Sequence, residues 1–414
     1  MDIDRPIVIV GAGLAGAKAA ETLREQGFTG RVVLIGAEAE RPYERPGLSK
    51  GYLLGDDDRA ALFVHDENWY TRFSVELRLG RRATRLDRDA HTVRLDDGED
   101  VEYGRLLLTT GASPRALPVP GAELDGVFRL RRLTDSDRLR AALRAGGRVV
   151  VVGAGWIGLE TAAAARTLGC EVTVLEPAST VLGAALGAEM GDHFADLHRR
   201  HGVDLRLGHG AERILGDGGR VRAVVADDGA EIAADTVIVG IGARPDTDLA
   251  EQAGLAVDDG VLVDASLRTG DPDVFAAGDV ANPHHPHYGR RIRVEHWDNA
   301  LHAGTIAARA MLGEPVVFDR IPFFFTDQYD VGMEYAGWFP RGGYDRVVTR
   351  GDVPGQSFQA FWLSGDRVVA GMHVNRWDEG IDPIRALVRG GGPVTAARLA
   401  DPTVPLAELA APAR

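Results

Sequence analysis

Two stretches of this chain follow one grammar. Pro6-Ile7-Val8-Ile9-Val10 runs into Gly11-Ala12-Gly13-Leu14-Ala15-Gly16, and Arg148-Val149-Val150-Val151-Val152 runs into Gly153-Ala154-Gly155-Trp156-Ile157-Gly158. A short apolar run closed by glycine is the signature of a strand buried on both faces of a parallel sheet. The elements after each run repeat in the same order. The spacing predicts helices from about Leu14 to Gln26 and from about Ile157 to Leu168, stopped by Gly27 and Gly169. Second strands, Arg31–Ile35 and Glu171–Leu175, lead to the acidic residues Glu38 and Glu176. Short alternating strands come next, around 82–86 and 92–95 in the first copy and around 211–215 and 221–226 in the second. Each set has an Asp-Asp-Gly turn, at Asp96-Asp97-Gly98 and at Asp227-Asp228-Gly229. The copies close on Leu106-Leu107-Leu108-Thr109-Thr110-Gly111 and on Thr236–Val239 with Gly240-Ile241-Gly242. An internal repeat of this kind leaves few folds open: two doubly wound α/β domains, each with a small inserted meander.

The glycine spacing has a chemical reading. Three glycines placed this way allow a tight turn, close approach of backbone to a pyrophosphate, and close packing of helix on strand. The phosphates would sit at the helix N-terminus, where free N–H groups and the macrodipole favour negative charge. A carboxylate at the end of the next strand suits ribose hydroxyls, the places held by Glu38 and Glu176. Glu176 would repel a 2′-phosphate, and no arginine comes after it in Pro177-Ala178-Ser179-Thr180, so NADH is expected over NADPH. A third motif, Val274-Phe275-Ala276-Ala277-Gly278-Asp279-Val280, has the form of a segment returning to an FAD. Two dinucleotides on one chain point to an electron-transfer flavoprotein. The expected division is 1–113 with 243–318 for FAD, 114–242 for NAD(H), and 319–414 as a third, α+β domain with strands at 331–338, 346–349, 358–363 and 368–374. A helix near 383–389 and an Ala/Pro-rich tail would finish the chain.

Composition sets limits. A chain of 414 residues with 45% hydrophobic and 26% charged residues can build two or three sizeable cores. Its formal net charge of −14 argues against a nucleic-acid partner, which demands clustered positive charge. Cys170 is the single cysteine, so no intramolecular disulfide, redox-active cysteine pair or cysteine-rich metal site can form. No run approaches a membrane span and the N-terminus lacks the pattern of a signal peptide, so a soluble, cytoplasmic protein is expected. The chain has only two lysines, Lys18 and Lys50, among many arginines. Lys50 closes the stretch Arg41-Pro42-Tyr43-Glu44-Arg45-Pro46-Gly47-Leu48-Ser49-Lys50, and an ammonium beside a flavin would favour its reduced, anionic form. Glu160, just beyond the second glycine motif on the helix expected to hold the nicotinamide dinucleotide, could pair with Lys50 and contact the nicotinamide if it lies in the site. The helix starting near Asp298 would aim its positive N-terminus where flavin charge develops on reduction. Three weaker features are His284, His285 and His287, read as a solvated loop before a metal site; Gly289-Arg290-Arg291-Ile292-Arg293, a candidate basic docking patch; and Cys170, read as buried packing.

Taken in order, Gly11–Gly16, Arg45-Pro46 with Leu48-Ser49-Lys50, Gly153–Glu160, Gly242-Ala243-Arg244-Pro245, Gly278-Asp279 and Pro322-Phe323-Phe324-Phe325-Thr326-Asp327-Gln328 resemble the NADH-dependent ferredoxin reductases of bacterial cytochrome P450 and Rieske oxygenase systems. The resemblance covers essentially the whole chain. It implies a glutathione-reductase-like fold and electron transfer from NADH through FAD to an acidic iron–sulfur ferredoxin. It also implies residue roles. Gly11, Gly13, Ala15, Gly16 and Glu38 would hold the FAD pyrophosphate and adenosine ribose, and Ala83 would contact the adenine. Arg45, Lys50 and Arg131 would approach the FAD phosphates or the isoalloxazine, Asp279 the ribitol, and Glu295, His296 and Trp297 the flavin edge. Gly153, Gly155, Ile157, Gly158, Glu176 and Gly242 would contact NADH, with Lys50 and Glu160 as the catalytic pair. Gly47 and Phe325 depart from the family's usual Pro and Trp, and Phe325 bears on partner choice. Rubredoxin, monodehydroascorbate and quinone reductases share the fold, as does the redox-switch flavoprotein apoptosis-inducing factor.

Overall fold

The computed structural model describes residues 5–410. The chain divides into two compact units, each assembled from separated segments. The first comprises 1–44, 59–113 and 244–323; the second comprises 45–58, 114–243 and 324–414.

The first unit is organised by a five-stranded parallel sheet in the order Val274–Ala276, Arg105–Leu108, Ile7–Val10, Val32–Gly36, Val75–Leu79. Ile7–Val10 is central and buried throughout, as a continuous apolar run requires when both sheet faces are covered. Two helices, Leu14–Glu25 and Trp297–Met311, pack closely together. A Cβ added at Gly304 would lie 2.2 Å from the carbonyl oxygen of Ala15, so only glycine permits this approach. The small antiparallel meander Ala83–Asp87, Thr92–Leu95, Asp100–Glu102 is the insertion expected from the alternating pattern.

The second unit repeats the parallel sheet as Asp204–Leu207, Glu171–Glu176, Arg148–Val152, Thr236–Val239, Val127–Phe128. Its meander is Ala211–Asp217, Arg220–Ala226, Glu231–Ala233. A further sheet runs Phe323–Gln328, Val331–Gly337, Arg367–Val374, Ser357–Ser364, Arg346–Asp352, antiparallel from Val331–Gly337 through to Arg346–Asp352. The fold is thus α/β with two parallel sheets and a C-terminal antiparallel sheet. One core joins the second parallel layer to this last sheet, bringing Leu159, Ala162, Phe194 and Met190 together with Met333, Trp362 and Met372. The Trp362 indole N–H donates to the Leu186 carbonyl at 2.8 Å, which satisfies a fully buried donor.

Several elements escape the sequence pattern, four helices among them. The helix Gly183–Arg200 contains Gly187 at φ 77°, a break that interrupts its apolar periodicity. The helix Leu133–Arg144 starts at an arginine, and its cap is supplied from inside: Asp135 accepts from the backbone N–H of Arg132 at 2.8 Å. The Ala/Pro-rich tail holds the short helices Ala396–Ala400 and Leu406–Leu409, with Leu399 and Leu406 buried.

Candidate functional site

Both glycine loops end at helix N-termini that the protein leaves uncapped. Gly13 and Gly155 are the N-cap residues, neither with a side-chain cap, and neither helix has an acid in its first turn. Uncapped N–H groups at a helix start with no acid in its first turn form an anion site. The glycines divide by role. A Cβ on Gly11 would lie 2.0 Å from the Thr109 carbonyl oxygen, and one on Gly16 2.2 Å from the Gly11 carbonyl oxygen. In the second loop a Cβ on Gly153 would lie 2.5 Å from the Gly240 carbonyl oxygen, and one on Gly158 2.0 Å from that of Gly153. The middle glycines differ: a Cβ on Gly13 meets nothing within 4 Å, and one on Gly155 only the Gly240 oxygen at 3.8 Å. The protein's own packing therefore does not explain the middle glycines, whereas a phosphate lying against the backbone does. The residues present fit two dinucleotides.

Around the first loop, Ala15 and Gly16 are buried in the first helical turn. Glu38 comes after the second strand and accepts from the Tyr43 hydroxyl at 2.6 Å. Ala83 opens the meander, and Asp279 lies in the turn Gly278–Val280. His296 caps the helix Trp297–Met311, and Asp298 in its first turn is held by Arg320 through two bonds, at 2.5 and 2.6 Å. The cation neutralises the acid in that helix's first turn, so Asp298 does not oppose the N-terminal dipole as a bare carboxylate. Glu295 pairs with Arg293.

Around the second loop, Ile157 is exposed at 41%, unusual for an isoleucine on an otherwise buried helix. Glu176 accepts from the backbone N–H of Ala154 at 2.7 Å and of Ala178 at 2.9 Å, which fixes its carboxylate beside the glycine loop. Gly242 has φ 89°, and a Cβ there would meet nothing.

The second unit also brings Lys50 and Glu160 together. Lys50 lies between the turn Pro46–Ser49 and the helix Gly51–Leu54; Glu160 lies on the helix Trp156–Thr167. Lys50 Nζ is 2.7 Å from Glu160 Oε1, with side-chain exposures of 14% and 3%. A carboxylate this deep is stable only if paired and hydrogen-bonded. It is: the Thr326 hydroxyl donates to Oε1 at 2.6 Å, and the Ser49 hydroxyl donates to Oε2. Phe325 places its ring centroid 5.4 Å from Lys50 Nζ. Arg45, in the same segment, donates to the Arg131 carbonyl. Ser49 and Thr326 do not stand out in the sequence as partners of Glu160, because hydroxyl residues carry no spacing signal across such separations.

The weaker candidates resolve differently. His285 Nε2 donates to the Arg320 carbonyl at 2.9 Å, while His284 and His287 are exposed. The Arg290–Arg293 patch is partly spent: Arg293 pairs with Asp259 at 3.1 Å and with Glu295, and Arg291 donates to the carbonyls of Val263 and Asn282. Only part of its charge faces outward. Cys170 is buried, with Sγ against the Leu143 carbonyl at 3.3 Å, and burial pushes its thiol up from the ordinary range. No helix among the described residues is long and apolar enough to cross a membrane.

Two parallel-sheet cradles with open central glycines, and a buried lysine–glutamate pair beside the second, define an oxidoreductase that handles pyridine dinucleotides. The chain belongs to the pyridine nucleotide-disulphide oxidoreductase family, which it matches over residues 5–304, with a reductase C-terminal domain over 323–410. It is 42% identical over 407 residues to the ferredoxin–NAD(+) reductase component of an anthranilate 1,2-dioxygenase system from Burkholderia cepacia, covering 97% of this chain and 98% of that one. Its structure matches the ferredoxin reductase for the CYP199A2 system of Rhodopseudomonas palustris with a TM-score of 0.94, at 36% identity, over 99% of this chain and 100% of that one. It also matches the reductase in a covalent putidaredoxin reductase–putidaredoxin complex with a TM-score of 0.93, at 36% identity, over 98% of each chain.

Proposed function

We propose that this chain is an FAD-containing, NADH-dependent ferredoxin reductase that supplies electrons to a cytochrome P450 or Rieske oxygenase through an iron–sulfur ferredoxin. The observation that carries this reading is the combination of two open-glycine cradles with a single, buried cysteine. The family's name refers to a disulfide, but Cys170 has no partner with which to form one. Electrons therefore leave for an external acceptor. FAD, when bound, takes a hydride from NADH and releases electrons singly, which joins a two-electron donor to a one-electron carrier.

The chain's own residues have distinct tasks. The N–H groups at the start of the Leu14–Glu25 helix hold the FAD pyrophosphate, with Gly11, Gly13, Ala15 and Gly16 shaping the loop. Glu38 takes the adenosine ribose, Ala83 the adenine, and Asp279 the ribitol; Glu295, His296 and Trp297 border the flavin. Arg45 and Arg131 supply cations for the phosphates. Gly153, Gly155, Ile157, Gly158 and Gly242 form the NADH cradle, and Glu176 accepts from the ribose hydroxyls, which selects NADH over NADPH. The Lys50 ammonium offers positive charge where the flavin would gain negative charge; Glu160 fixes where that charge sits.

Steady-state NADH oxidation with matched concentrations of ferredoxin, rubredoxin, a quinone and monodehydroascorbate tests the acceptor. The highest kcat/KM is expected with an iron–sulfur ferredoxin. A quinone or monodehydroascorbate that matched it would replace this reading with another reductase of the same fold.

A further inference from the structure

Glu160 is the end point of a longer polar line buried in the second unit. Thr326 Oγ1 donates to Glu160 and accepts from Gln328 Nε2 at 3.2 Å. Gln328 Oε1 lies 2.8 Å from His198 Nε2, so that nitrogen carries the hydrogen. The other ring nitrogen, Nδ1, then accepts from the Tyr329 hydroxyl at 3.3 Å. Thr326, Gln328 and His198 are all essentially inaccessible. Every bond runs in one direction, from tyrosine to imidazole to amide to hydroxyl to carboxylate, and successive bonds of like direction polarise one another.

The far end is anchored. Tyr329 stacks on His201 with ring centroids 3.7 Å apart and planes within 6°. Tyr329 itself has φ 58° in the turn between Phe323–Gln328 and Val331–Gly337. A bulky residue in the left-handed region is costly where glycine or asparagine would serve, and such strain persists where the surroundings demand that side chain. Burial keeps His198 neutral by lowering its pKa to about 4, and a neutral imidazole is what the line requires, one nitrogen donating and the other accepting. An amide in the middle passes no proton, so the line orients rather than conducts.

We propose that His198 and Gln328 are positioning residues which act through Thr326 to hold the Glu160 carboxylate against Lys50 during flavin reduction by NADH. This rests on the function proposed above for the Lys50–Glu160 pair. The line links the helices Gly183–Arg200 and Trp156–Thr167 through the strand Phe323–Gln328, so a disturbance at His198 reaches Glu160 through the protein's own hydrogen bonds.

A double-variant cycle on the FAD-loaded enzyme tests it. Gln328→Leu should slow NADH-driven flavin bleaching by about threefold to tenfold, the worth of one hydrogen bond. Glu160→Gln should slow it too, and adding Gln328→Leu to Glu160→Gln should then change the rate by less than about twofold, because the carboxylate through which Gln328 acts is gone. Thr326→Val should reproduce Gln328→Leu, and Thr326→Ser should restore the rate, which keeps the test available if the leucine variant folds poorly. Nitrogen-15 NMR of labelled histidine gives a readout apart from activity: His198 should be the neutral Nε2–H form at neutral pH. Equal slowing by Gln328→Leu in both backgrounds, or an Nδ1–H form of His198, would overturn the positioning role. If Glu160→Gln alone left bleaching unchanged, the catalytic reading of the pair would fall instead.

Discussion

Lys50 and Glu160 meet at 2.7 Å in a pocket of the second unit that leaves the carboxylate 3% exposed, and three donors converge on its two oxygens. Such a pair is expensive to assemble and more expensive to break from one side. Under the proposed function Lys50→Ala should slow flavin reduction by NADH on the order of tenfold or more while FAD stays bound, since the role proposed for the cation is in the chemistry rather than in holding the cofactor. Stopped-flow bleaching and the flavin absorbance after gel filtration check both halves. The variant should also unfold at lower denaturant, by about 3 kcal/mol for a buried charge left with neutral partners only, and Lys50→Met with Glu160→Gln together should recover most of that loss.

The glycines predict a split between folding and binding. Gly16→Ala and Gly158→Ala would drive a methyl to 2.2 and 2.0 Å from backbone carbonyl oxygens, so both should express poorly or unfold early. Gly13→Ala adds a methyl into open space and Gly155→Ala one in ordinary contact with the Gly240 carbonyl oxygen at 3.8 Å, both at ordinary backbone angles. These should fold normally, with Gly13→Ala purifying with little flavin and Gly155→Ala keeping flavin but showing a raised KM for NADH. Thermal unfolding of the apoproteins separates the pairs.

Under the proposed function Glu176 sets the coenzyme. Removing its carboxylate in Glu176→Ala deletes the acceptor proposed for ribose hydroxyls and the repulsion toward a 2′-phosphate, so the NADH-to-NADPH ratio of kcat/KM should fall on the order of tenfold. An unchanged ratio would place coenzyme choice elsewhere.

His198 predicts a pH dependence of stability. Its pKa is lowered by burial to about 4, against an ordinary value near 6.5 in the unfolded chain. Between those values the unfolded state binds the extra proton, so stability falls as pH drops from about 6.5 toward about 4, and the neutral form's full contribution is present only above the upper value. One proton corresponds to roughly 1.4 kcal/mol per pH unit at the steepest. Urea unfolding across this range should show a shallower slope in His198→Asn than in the unaltered protein.

The sequence carried the architecture well because glycine punctuation and continuous apolar strands are local signals. The central strands at Ile7–Val10, Arg148–Val152 and Thr236–Val239 needed no tertiary information. The helix Gly183–Arg200 did, because Gly187 breaks its period and its packing on Trp362 and Tyr344 restores it. At the site, Lys50 and Glu160 stood out by residue type and motif. Thr326, Gln328 and His198 did not, because a buried hydrogen-bond line across three elements has no spacing in sequence. The arginines at 290–293 show the reverse: a basic run on paper whose charge is partly taken up by Asp259 and Glu295.

The proposed electron flow, from NADH through a flavin on this chain to an iron–sulfur acceptor, is tested most directly by anaerobic stopped-flow absorbance. The flavin-loaded protein is mixed first with NADH and then with a two-iron ferredoxin. Fast bleaching by NADH is expected, then fast recovery of the flavin spectrum as the ferredoxin is reduced. Bleaching that persists in the presence of several ferredoxins, or a purified protein that binds no flavin, would contradict the proposed function.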